Sequence, residues 1–155
     1  MAMPETRNEI WFYHLERSEL RDVLPGLLEK TRERGWRALV RVNSAGLLDE
    51  LDERLWTWRD EAFLAHGRAT EPHAGRQPIL LSRSGENLNG AQALFIVDDA
   101  ELGDTESYER CFIIFDGRDE TSLTAARERW KVLKQGGANL AYWRQSPEGR
   151  WEKAA

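Results

Sequence analysis

Five short apolar runs set the limits on what this chain can fold into: Ile10-Trp11-Phe12-Tyr13-His14-Leu15, Arg37 to Val42, Pro78 to Ser82, Ala93 to Val97 and Cys111 to Phe115. They are continuous rather than alternating, the pattern of strands covered on both faces. Segments of helical period stand between them. Leu20, Val23, Leu24, Leu27 and Leu28 share one stripe, with Ser18 placed to cap the helix and Gly35 placed to end it. Pro25-Gly26 inside that stripe predicts a kink or a restart. Asn43 or Ser44 opens a second helix with a core stripe of Leu48, Leu51, Leu55 and Trp58. After loops over Arg68 to Gln77 and Ser84 to Gly90, a third helix includes Leu123 to Gln135, stops at Gly136-Gly137, and precedes a last strand from Asn139 to Trp143. The expected fold is α/β, one three-layer domain over residues 1–155 with a mainly parallel sheet flanked by helices.

Several functions are disfavoured at once. A net charge of -5 and a pI near 5.3 argue against a general nucleic-acid binder. No apolar run reaches membrane-spanning length and the polar stretch Met1 to Glu9 has no signal core, so a cytoplasmic protein with no membrane partner is expected. The single cysteine, Cys111, reads as a small buried hydrophobe. The turn after the first strand, Glu16-Arg17-Ser18-Glu19, lacks glycine, and no phosphate-cradling loop occurs elsewhere. His14 reads as a core residue, and His66 and His73 lack companions for a ligand set. No cofactor and no metal are expected.

Acids gather past two strands, at Asp98, Asp99, Glu101 and Asp104 and again at Asp116 and Asp119. Strand ends are where α/β enzymes hold their acids. The alternative function is therefore a small enzyme acting on an acidic metabolite there. Against it, no nucleophile-and-base spacing stands out, such runs are often solvated turns, and Asp119 is placed to cap the third helix.

Two surface features carry more. Trp56 is rotated off the second helix's core stripe toward Asp49, Asp52 and Glu53, with Phe63 and Leu64 soon after. A rigid indole so placed is either covered by the fold or anchors a protein partner. On the third helix, Arg127, Lys131 and Lys134 fall on one stripe, with Trp130 and Leu123 along its apolar edge. That stripe is either a solvated face with local pairs such as Glu128 to Lys131, or a landing place for a peptide with carboxylates and an aromatic end. Stacking of single-stranded nucleic acid on Trp130 is a third, less favoured use.

The segments Phe12-Tyr13-His14-Leu15, Leu51-Asp52-Glu53-Arg54-Leu55-Trp56, Phe63-Leu64-Ala65-His66-Gly67, Ala126-Arg127-Glu128-Arg129-Trp130-Lys131 and Gly149-Arg150-Trp151 resemble, in order and spacing, the chi subunit of bacterial DNA polymerase III. The resemblance implies a Rossmann-like fold without nucleotide-binding machinery and a non-catalytic accessory subunit of the replicase. It also implies two partners: the acidic, phenylalanine-ended C-terminal tail of single-stranded DNA-binding protein, and the psi subunit, which leads to the clamp loader. The family's tail-binding residues fall on Arg127, Trp130 and Lys131, where Trp130 stands at a position also taken by tyrosine. Helix geometry adds Lys134. The psi-facing patch falls around Trp56 and Phe63, with Leu64 beside them.

Overall fold

The computed structural model describes residues 8–58 and 64–155. In chain order it contains β1 (Glu9–Leu15), α1 (Leu20–Glu33), β2 (Ala38–Arg41), α2 (Ala45–Trp56), β3 (Gly67–Arg68), a single 3₁₀ turn (Ala74–Arg76), β4 (Ile79–Ser82), β5 (Ala93–Ile96), β6 (Arg110–Asp116), α3 (Glu120–Gln135), β7 (Asn139–Gln145) and β8 (Trp151–Lys153). The strands form one eight-stranded sheet in the order β3-β4-β2-β5-β6-β1-β7-β8. Pairing is parallel throughout except between β7 and β8 at one edge. This is the α/β arrangement the apolar runs imply.

α1 and α2 cover one face, where Leu24, Leu28, Leu48, Leu51 and Leu55 pack on Tyr13, Val40, Leu81, Phe95 and Phe112. α3 covers the other, where Ala126 joins Phe12, Leu39, Leu94, Ile113 and Phe115. Covered twice, β2, β4 and β5 are buried at every position, which is why their sequences alternate so little.

The helix ends follow the sequence in most respects. Ser44 caps α2 by accepting from the Leu47 N–H at 3.3 Å, and Asp119 caps α3 by accepting from the Thr121 N–H at 3.0 Å. Gly35, at φ 82°, lets the Trp36 N–H reach back to the Thr31 carbonyl at 3.2 Å, so α1 closes on the expected residue.

Two expectations fail. Ser18 does not cap α1, whose N-cap is Glu19 without a side-chain bond. Instead the Ser18 Oγ accepts from Gln145 Nε2 at 3.0 Å, while Gln145 Oε1 accepts from the N–H groups of Glu16 and Arg17. A side chain from β7 thus occupies backbone donors in the turn where dinucleotide-binding folds present theirs to phosphate. Nor does α1 restart at Pro25, one of the two outcomes its position allowed: it is a single helix from Leu20 to Glu33. Proline removes the N–H that would bond the Arg21 carbonyl. Arg54 Nε of α2 donates to that carbonyl at 3.2 Å and takes the missing donor's place.

The stretch expected as a loop from Arg68 to Gln77 also contains the end of β3 and the 3₁₀ turn. β8 lies beyond the last strand that the sequence reading placed.

Candidate functional site

α3 presents Arg127, Lys131 and Lys134 on one exposed side. Trp130 turns toward the sheet, its ring meeting Phe12 edge-on at 5.2 Å and Tyr142 of β7 at 5.5 Å. Between α3 and β7 opens a cleft of about 590 Å³, lined by those four α3 residues with Gln135, Tyr142 and Ala155. The structure therefore brings Arg127, Trp130, Lys131 and Lys134 to one concave surface. Leu123, expected as a second apolar wall, does not line the cleft but lies partly buried against the core, and Tyr142 supplies that wall. Gln135 lies one residue beyond Lys134 and was within reach of helical spacing. Tyr142 and Ala155 come from strand pairing, which helical periodicity does not register.

Among the described residues, none of the three stripe cations is in an ion pair, and the Glu128–Lys131 pair their spacing permits is not made. The cleft thus presents positive charge beside two aromatic rings. Behind it, the Tyr142 hydroxyl is hydrogen-bonded to His14 Nδ1 at 2.7 Å. Burial holds the His14 pKa below its ordinary value; Arg144 and Arg127 push the same way, and Glu16 and Asp116 oppose them. Burial also pushes the Tyr142 phenol up. His14 is the satisfied core residue its strand position implied, and it reaches the cleft only through Tyr142. Cys111 is fully buried, and burial pushes its thiol up to about 12, well away from a reactive thiolate.

Trp56 lies on the other side of the sheet. It is 55% exposed, with its ring 4.5 Å from that of His66. The buried His66 ring is held by the Leu64 carbonyl at Nδ1 and by Asp52 at Nε2. Arg68 bridges Asp52 and Asp49, so α2 and β3 support the indole through a continuous polar chain. Asp49 and Arg68 also border a cavity of about 520 Å³ whose apolar lining includes Leu48, Leu81 and Leu88. Leu64, expected to extend the Trp56 surface, is instead a core residue at 6% exposure, because it packs with the α2 leucines. Phe63 lies outside the described residues.

Three of the acids at the strand ends, Asp98, Asp99 and Asp116, have structural partners. Val97 to Ala100 form a tight turn, with positive φ at Asp98 and Asp99 and the Ala100 N–H donating to the Val97 carbonyl at 3.1 Å. Asp98 Oδ2 accepts from the N–H groups of Asn43 and Ser44, at the start of α2. Asp99 Oδ2 accepts from Ser122 Oγ on α3. Asp116 accepts from the Arg118 backbone and side chain, both at 2.9 Å. The two aspartates of the turn tie helices on opposite faces to the sheet, so Asp98, Asp99 and Asp116 each hold local structure.

Fold and site together define a three-layer α/β domain with a cationic, aromatic-walled cleft on one face and an exposed tryptophan on the other. The sequence profile of the family described as DNA polymerase III chi subunit, HolC, matches residues 8–141. The chain is 31% identical over 107 residues to the DNA polymerase III subunit chi of Haemophilus influenzae, covering 69% of this chain and 74% of that protein. It is 24% identical over 152 residues to the probable DNA polymerase III subunit chi of Rickettsia prowazekii, covering 92% and 90%. The chain belongs to the DNA polymerase III chi subunit family. Membership makes it an accessory subunit of a replicative polymerase, with a protein partner inside that complex. Among the described residues no helix is long and apolar enough to cross a membrane.

Proposed function

We propose that this subunit captures the acidic C-terminal tail of single-stranded DNA-binding protein in the cleft beside Trp130 and ties it to the clamp loader through psi, without catalysing a reaction itself. The observation that carries the reading is the cleft: three cations that form no ion pair among the described residues, beside the ring of Trp130. Arg127, Lys131 and Lys134 attract the tail's carboxylates, and Trp130 offers its last side chain an apolar surface. The Trp56 face, where an exposed indole packs against the His66 ring, suits psi. Both contacts act in the cytoplasm, and the net charge of -5 speaks against strong direct binding of nucleic acid by this subunit.

Isothermal titration with a synthetic acidic tail peptide tests the cleft. Arg127→Ala and Lys131→Ala should each weaken binding about 3- to 10-fold, or ~0.7–1.4 kcal/mol for charge-assisted contacts at an exposed rim. Raising the salt should weaken the wild type and narrow its advantage. Unchanged affinity in both variants would remove this cleft from consideration.

A further inference from the structure

Each nitrogen of the His66 ring faces an atom that only accepts. Nδ1 lies 2.7 Å from the Leu64 carbonyl, and Nε2 lies 2.8 Å from Asp52 Oδ1. A neutral imidazole has one donor nitrogen and one acceptor nitrogen. Whichever nitrogen lacked its proton, its lone pair would stand at hydrogen-bond distance from another lone pair. An imidazolium donates from both sides and satisfies both neighbours.

The charges around the ring point the same way. The His66 side chain is 0% exposed and that of Asp52 is 19% exposed. Arg68 donates to Asp52 Oδ2 through Nε at 2.9 Å and Nη2 at 2.8 Å, and pairs with Asp49 through Nη1. With a neutral ring, the two acids of α2 would share one guanidinium. With an imidazolium, Asp49 and Asp52 face two cations, and the carboxylate drawn out of water is paired on both oxygens. Burial opposes a charged ring. The carboxylate, the carbonyl and the Trp56 indole offset that cost, since the two rings lie 4.5 Å apart at 51°, within cation–π reach.

We infer that His66 carries both ring protons, and that this fixed charge between α2 and β3 positions Trp56 for the partner. The inference rests on the reading of Trp56 as the psi-facing anchor. The cation holds one side of the indole while the residue stays 55% exposed. An aromatic set in place beforehand loses little freedom when the partner docks.

The charge is read from a two-bond proton–nitrogen spectrum of the isotope-labelled full chain at pH 7, with His66→Gln assigning the signals. Both His66 nitrogens should resonate as protonated nitrogens. Asp52→Asn should turn one of them into a bare nitrogen, whereas Asp49→Asn, at a side chain 65% exposed, should not. One protonated and one bare nitrogen in wild type overturns the inference.

The positioning role is read by titrating purified psi. His66→Gln should weaken binding about 5-fold in the wild-type background and less than about 2-fold beside Trp56→Ala, because its effect passes through the indole. Asp52→Asn should behave likewise, which keeps the test decisive if the glutamine variant fails to fold. Equal losses in both backgrounds overturn the positioning role and leave the psi reading standing. Wild type that does not bind psi, or Trp56→Ala that binds it unchanged, overturns the psi reading and the positioning role with it, while the spectrum still decides the charge.

Discussion

Gly117 is a position where a β-carbon has no room, because the His14 imidazole occupies the space it would need. Gly117→Ala should therefore displace the ring and strain its bond to Tyr142, destabilising the fold by about 1–3 kcal/mol in urea unfolding. An unchanged midpoint would mean the imidazole has somewhere else to go. His14 also gives the fold a pH dependence. Its folded pKa is lowered below the ordinary 6.5, first by burial and then by Arg144 and Arg127, against Glu16 and Asp116. Below about 6.5 the unfolded chain binds the proton more readily than the folded one. The stability tied to neutral His14 is thus complete above that pH and lost as pH falls through it toward the lower folded value. Unfolding at pH 7.5 and 5.5 should show wild type losing more stability over this interval than His14→Gln does. Equal losses would exclude His14 as the source.

Arg41, at the end of β2, shows how one side chain can stand in for a missing element. β5 and β6 are parallel neighbours joined by residues 97–109 without a helix. Arg41 is 4% exposed, and its guanidinium donates to the carbonyls of Ser84, Gly85, Glu101 and Leu102, tying this connection to the loop after β4. Arg41→Leu should cost about 2–4 kcal/mol by leaving those acceptors to find water or go unpaired, with amide exchange rising first over residues 100–103. Arg41→Lys should recover only part of this, since one ammonium cannot reproduce a planar fork across two loops. A lysine variant as stable as wild type would refute the account. None of this could be read from the sequence, where Arg41 is one charge near the end of an apolar run. The buried strands were legible because double burial makes them apolar. β3 and β8 were not, because Gly67-Arg68 and Trp151-Glu152-Lys153 are short edge segments with no period to detect.

The same division runs through the cleft. Its α3 half was legible because a helix repeats every 3.6 residues, so spacing alone puts Arg127, Lys131 and Lys134 together. Its other half depends on register, the pairing of β7 beside β1 and of residues 154–155 against Tyr142, and Leu123 was placed there wrongly because nothing in its spacing shows which flank of α3 meets the core. The sheet also separates the two surfaces. Trp56 belongs to the α1–α2 layer and the cleft to the α3 layer, with the sheet's two cores between them. Neither surface shares a side chain with the other, and the sheet is packed on both sides, so a ligand on one has no described contact through which to alter the other. The two should bind independently. Trp56→Ala should reduce retention of the polymerase-complex partner while changing tail-peptide affinity less than about 2-fold, and Arg127→Ala should do the reverse. Titrating the peptide into the subunit alone and into its complex with that partner gives the coupling directly. A shift of about 5-fold or more between the two titrations would show that the sheet transmits binding from one layer to the other.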